Sequence, residues 1–159
     1  MRLSNNLELS EVIRSESAKR NGISNMPTAE HIENLKELAE KVFQPIRDHF
    51  KVPIRISSGY RSKELNAKIP NASKTSDHSF GRAIDIDMDG TSITNNQVFN
   101  FIKDNLKFKQ LIYEFPINGN ASWIHVSYDK NNLKNEILVA KKLYGKTVYV
   151  KYLNDADLV

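Results

Sequence analysis

Apolar residues recur along the chain in two rhythms that divide it into short alternating helices and strands. After Pro27-Thr28, the residues Ile32, Leu35, Leu38, Ala39, Val42, Phe43, Ile46 and Phe50 fall at three- and four-residue spacing. That spacing predicts a helix capped by Thr28 with one face on the core. Pro45 lacks an N–H for the interior ladder, so a kink or break is expected near Phe43 to Pro45. A weaker helical pattern runs from Leu9 to about Arg20 and stops at Asn21-Gly22, as helices do ahead of a glycine. Lys63 to Ile69 reads as a short helix, and Pro70 to Ser79 as polar loop. Thr94-x-x-Gln97 has the form of a capping box, opening a helix through Val98, Phe99, Ile102 and Leu106.

Strand-like alternation marks Val52 to Ser57, Ala83 to Met88, Gln110 to Phe115, Ser122 to Tyr128, Glu136 to Lys141 and Lys146 to Leu153. Turns are signalled at Asn118-Gly119 and at Gly145. Between Ala83 and Met88, Ile84, Ile86 and Met88 share one face, and Ala83, Asp85 and Asp87 share the other. Further on, Trp123, His125 and Ser127 fall together while Ile124 and Val126 turn to the core. The elements sum to an α+β fold, one compact domain over residues 1–159. A mostly antiparallel sheet is expected, with helices packed on one side and residues 1–27 as an N-terminal extension packed on it.

Composition narrows the chemistry. A chain of 159 residues suits one domain, and 40% hydrophobic with 26% charged residues excludes a disordered class. The absence of cysteine excludes disulfides, thiol nucleophiles and cysteine-ligated zinc, so a metal could sit only on His, Asp or Glu. No apolar run reaches the length of a membrane span, and the N-terminus lacks the apolar stretch of a signal peptide. The expectation is synthesis in the cytoplasm without membrane insertion. The formal net charge of +4, without a block of like charge, favours anionic surfaces and gives no sign of nucleic-acid binding.

Of the four histidines, His31 and His49 fall at solvated or cap positions of the long helix. His78 precedes Asp85 by seven positions, which one continuous strand would put on opposite faces. A turn at Ser79-Phe80-Gly81 would fold His78 back over the strand that bears Asp85. With His125 from another strand, two imidazoles and a carboxylate then suit a divalent ion such as zinc with one position open to water. From spacing alone, the three read equally as that site or as an exposed aspartate and two isolated surface histidines. Asp85-Ile86-Asp87-Met88-Asp89-Gly90 also imitates the start of a calcium loop, but Asn96 stands where the loop needs a bidentate Glu.

Three ordered motifs separate these readings: Ser58-Gly59-Tyr60-Arg61, Ser76-x-His78-x-x-Gly81-x-Ala83-x-Asp85, and Trp123-x-His125. Together they resemble the zinc D-alanyl-D-alanine carboxypeptidase and L-alanyl-D-glutamate endopeptidase family of peptidoglycan peptidases. The resemblance spans roughly Thr28 to Tyr128, and the segment from Leu9 to Asn25 is similar to the start of small phage and prophage members. It implies that His78, Asp85 and His125 hold one zinc ion, which activates water against a peptide carbonyl. It implies that Arg61 binds a substrate carboxylate or the developing oxyanion, and that Ser76 binds substrate or orients the site.

One position departs from the family. Many relatives carry Glu three residues before the last ligand, where this chain has Ser122. Glu114, in the Gln110-Leu111-Ile112-Tyr113-Glu114 strand, is the candidate general base, with Asp87 the weaker one. The expected function is a zinc-dependent, monomeric peptidase acting on the stem peptides of peptidoglycan. As a phage or prophage enzyme it would reach the wall after release from the cytoplasm or within a virion. Ser122 motivates the alternative, a non-catalytic wall-binding or virion structural domain on the same scaffold.

Overall fold

The computed structural model describes residues 1–159. Two short strands, β1 (Arg2–Ser4) and β2 (Leu7–Glu8), form a hairpin that periodicity did not reveal, because each is too short to alternate. The predicted helix from Leu9 to Arg20 is two helices, α1 (Leu9–Ile13) and α2 (Glu16–Asn21). Arg14 takes an extended backbone and the Ser15 hydroxyl accepts from Ala18 N–H, starting a new helix. Leu3, Leu7, Leu9 and Val12 are buried in the same apolar core as the sheet.

The long helix begins at Thr28, whose hydroxyl accepts from His31 N–H, and runs as α3 (Ala29–Leu38). The interruption expected at Pro45 takes the form of a π-helical turn, Ala39–Phe43, before α4 (Gln44–Phe50). Gln44 N–H donates to Ala39 C=O, one residue further back than in an α-helix. Pro45 then stands at the start of the next helix, where its missing N–H costs nothing. His49 stacks on Phe101 at 4.2 Å and His31 Nδ1 meets the Tyr60 hydroxyl at 3.2 Å, so both are packing residues.

Six strands make the main sheet: β3 (Ile56–Ser58), β4 (Ala83–Ile86), β5 (Gln110–Glu114), β6 (Trp123–Ser127), β7 (Glu136–Leu143) and β8 (Lys146–Lys151). Their order is β3-β4-β6-β5-β7-β8, antiparallel except where β7 runs parallel to β5. Asn135 guides that crossing, since its side chain accepts from Phe108 N–H and its own N–H donates to Phe108 C=O. The strand predicted from Val52 starts only at Ile56. Helix α5 (Lys63–Ala67) follows β3, and α6 (Asn95–Asn105) opens with the predicted capping box, both of its hydrogen bonds formed.

Helices α3, α4 and α6 share one core with Ile84, Ile86, Leu111, Tyr113, Ile124, Val126 and Val139, the inward set of the central strands. The opposite sheet face carries the candidate chemistry. Ser127, expected outward beside His125, is fully buried, and Ala83 opposite it is buried too. The 3-10 turn Asp77–Phe80 packs against β4 at that end.

Gly81 ends this turn with φ 70°, and a Cβ there would lie 2.5 Å from the His31 carbonyl oxygen of α3. Gly119 has a similar φ of 77° with open space around it. Gly81→Ala should therefore cost about 2 kcal/mol more than Gly119→Ala, read from urea unfolding midpoints. Equal losses would mean that the turn does not depend on this contact with α3.

Candidate metal centre

Strand pairing puts the first two residues side by side. Asp85 on β4 is the cross-strand partner of His125 on β6, and cross-strand partners project to one face. His125 Nδ1 lies 2.9 Å from Asp85 Oδ1. His78 arrives from above, out of the 3-10 turn that Gly81 closes, and its Nε2 lies 3.2 Å from the same oxygen. One ligating atom from each residue falls within 4.8 Å of the others. Atoms bound tetrahedrally about 2.0–2.1 Å from zinc stand roughly 3.3 Å apart, so the spacing suits one ion.

The backbone fixes the chemistry of His78. Its Nδ1 donates to the Gly59 carbonyl at 2.7 Å, so the neutral imidazole carries its lone pair at Nε2, on the side of Asp85. Gly59 can supply that carbonyl because it presses on α1, where a Cβ would stand 2.3 Å from Val12 O. Tyr60 N–H donates to Val12 C=O at 2.7 Å, and Arg61 N–H to His78 C=O at 3.1 Å. Asn25, which sequence reasoning overlooked, clamps the same turn. Its amide donates to Ile13 C=O and Tyr60 C=O, and its oxygen accepts from Ser62 N–H. A lone asparagine in a polar segment carries no signal of such a role.

Burial sets the protonation states against one another. It lowers His78, a fully enclosed imidazole. It also opposes ionisation of Asp85, but the charges and hydrogen bonds of the two imidazoles prevail and hold the carboxyl well below the usual range. For His125, burial is outweighed by Asp85 and, more weakly, Glu114, and the net shift is upward. The trio is thus a carboxylate with two imidazoles bent toward it.

A groove of about 1320 Å³ opens over the three residues. Glu114 lines it from β5, where it pairs with Trp123 while Ile112 pairs with His125, so Glu114 and His125 share a face. Burial pushes its carboxyl up to about 7, with Asp85 adding to the rise and His125 opposing it. Asp87 falls elsewhere: β4 ends at Ile86, and the Asp87 carboxylate accepts from Asn95 and from Asp89 N–H beside a separate cavity of about 750 Å³. Only that cavity, and not the groove, includes Asp87. Arg61 lines the groove with its Nε buried and unpartnered, and burial lowers its pKa against the pull of Asp85. Ser76 caps the 3-10 turn through His78 N–H and lies 3.5 Å from the Arg61 guanidinium. Ser122 is committed to structure, its hydroxyl donating to Phe115 C=O at 2.7 Å.

The sequence model of the Peptidase M15 family matches residues 5–127, about three-quarters of the chain and all of the residues around the groove floor from Arg61 to His125. The chain belongs to the Peptidase M15 family. Membership supports a zinc metallopeptidase acting on peptidoglycan, and the His78, Asp85 and His125 cluster could hold the ion. No curated protein matches the chain. No helix is long and apolar enough to cross a membrane.

The raised Glu114 pKa has a signed consequence for the metal-free protein. An unfolded glutamate ionises near 4.5 and the folded one near 7, so between these values the folded state binds more protons and stability falls as pH rises. Glu114→Gln should stabilise the metal-free protein by about 1–3 kcal/mol at pH 8, and by nothing measurable at pH 4. Urea titrations at both pH values read the difference, and a gain equal at the two would contradict a buried, ionisable Glu114.

Proposed function

We propose that this M15 chain is a zinc peptidase that hydrolyses peptide bonds in the stem peptides of bacterial peptidoglycan. His78, Asp85 and His125 hold the metal, Glu114 is the general base, and Arg61 with Ser76 engages substrate. The observation that carries this reading is the meeting of two imidazoles, Asp85 and a separate carboxylate on one face of an open groove.

Two imidazoles and one carboxylate are the donor set of catalytic zinc sites that keep a coordination position open. Zinc bound there supplies a Lewis acid that acidifies water and polarises a carbonyl. Glu114 faces the same space, placed to accept a proton from the attacking water and return it to the departing amine nitrogen. The Gly59 carbonyl keeps His78 in the tautomer that offers Nε2. Arg61 presents a planar, permanently charged fork, its Nε unpartnered, for a substrate carboxylate or the developing oxyanion. Ser76, beside that fork, adds a hydroxyl at the groove wall. The likeness of the Leu9 to Asn25 segment to small phage members supports a phage or prophage role in wall lysis. The alternative, a non-catalytic wall-binding or virion structural domain, is motivated by Ser122; the carboxylate of Glu114 in the groove lining supports the enzyme reading instead.

Incubated with purified peptidoglycan, the protein should release new amino termini, stop when chelated and resume with added zinc. Asp85→Ala should lose stoichiometric zinc, measured by metal analysis. Glu114→Gln should keep the zinc while kcat falls about a hundredfold or more. A zinc-loaded protein that binds peptidoglycan without cutting it would replace the enzyme with the binding module.

A further inference from the structure

The β7–β8 hairpin lies beyond the residues matched by the family, 5–127, yet it builds one side of the groove. Register shows how. Ala140 on β7 stands beside Glu114 and pairs with Tyr149 on β8, so Glu114, Ala140 and Tyr149 form one row across the sheet. Lys142 pairs with Thr147 one step further along β7, on the same face by alternation. The face that bears the candidate metal ligands therefore continues onto the hairpin.

Charge distinguishes this added wall. Lys109 is neutralised by Asp77 at 2.8 Å and Lys134 by Glu136 at 3.5 Å, both within the groove lining or at its edge. Lys142 lines the groove from the face that bears Glu114. Lys146, which pairs with Leu143 and so falls on the other face by alternation, lines it from the turn end of the hairpin. Neither has a carboxylate within ion-pair distance. Lys142 is nevertheless held: its ammonium donates to Thr147 Oγ1 at 3.0 Å and lies 5.6 Å from the centre of the Phe115 ring. Phe115 has φ 46°, and its ring packs on Trp123. Arg61, the other groove cation without an ion pair, follows β3 on the opposite side of Asp85 and His125 in the strand order.

We propose that Lys142 and Lys146 bind a carboxylate of the substrate peptide on the side of the scissile bond opposite Arg61, making the hairpin a specificity element. This rests on the peptidase reading above. Strands stand about 4.8 Å apart, so β7 is roughly 10 Å from β6, the length of about three extended residues. The recognised carboxylate is therefore two or three residues from the bond that is cut. The ligand class is an extended acidic peptide crossing the strands.

The test uses zinc-loaded Glu114→Gln protein and fluorescent stem-type peptides with a free carboxylate two or three residues from the cut bond, or with that group as carboxamide. Affinity is read by anisotropy, so the result does not depend on cleavage and stays separate from failure of the peptidase reading. The acid peptide should bind about tenfold more tightly than the amide. Adding Lys142→Ala and Lys146→Ala should bring the ratio within twofold, with zinc content unchanged. Lys142→Arg with Lys146→Arg should retain the preference. Lys41→Ala with Lys107→Ala, which removes the same charge from exposed positions off the groove, should leave it intact. Equal binding of acid and amide, a ratio indifferent to the hairpin lysines, or the same loss in the Lys41 and Lys107 control would overturn the proposal.

Discussion

Asp85 holds a negative charge on a sheet whose other face is packed hydrocarbon, with only 13% of its side chain exposed. An ion so enclosed costs several kcal/mol unless partners compensate. Both imidazoles approach the same oxygen of Asp85: as N–H donors they offset much of that cost, and where a cation replaces those protons the three residues offer lone pairs to one region. The local architecture follows from this need. His125 comes without special geometry, as a cross-strand neighbour on β6. His78 needs a tight turn closed by Gly81 against α3, a hydroxyl cap from Ser76 and a carbonyl from Gly59. Gly59 in turn requires α1 to lie close, and Asn25 ties α1 to the turn after it. The N-terminal segment thus supports the position of one imidazole.

What could be read from the chain in advance is what short-range rules control. The alternation of Ile84, Ile86, Ile124 and Val126 identified the two strands that bear Asp85 and His125, and the Thr94 and Gln97 capping box started α6 where expected. Gly81 was rightly read as the means of folding His78 back, although its contact with α3 is a long-range fact. Asp87 misled because alternation was extended past Ile86, where the strand stops and the side chain turns to Asn95. Ser127 misled for the opposite reason: its face was right, but its burial, at the end where the 3-10 turn packs against β4, cannot be inferred from a strand pattern. Strand order lies wholly outside local rules. The placement of β7 parallel to β5 depends on Asn135 and Phe108 meeting across 27 residues.

With Glu114 as the proposed base, Ser122 and Glu114 illustrate how a sheet could carry a function on one strand rather than the next. Ser122 N–H donates to Glu114 C=O, so the two positions are spatial neighbours although eight residues apart in number. At Ser122, just ahead of β6, a side chain depends on the local turn; here the hydroxyl is spent on Phe115 C=O. Glu114 instead lies in a strand paired on both sides, with Trp123 on β6 and Ala140 on β7 as its cross-strand neighbours. A base must hold its carboxylate within hydrogen-bond reach of the reacting water, and a doubly paired strand restrains the backbone better than a turn does. The small Ala140 leaves room beside the carboxylate, while Tyr149 closes the row. The hairpin that supplies groove lysines therefore also secures the strand carrying the proposed base. On the proposed roles of Glu114 and the hairpin lysines, loss of β7 pairing would disturb proton transfer and substrate selection together and so couple the C-terminal hairpin to the centre that the family-matched residues build.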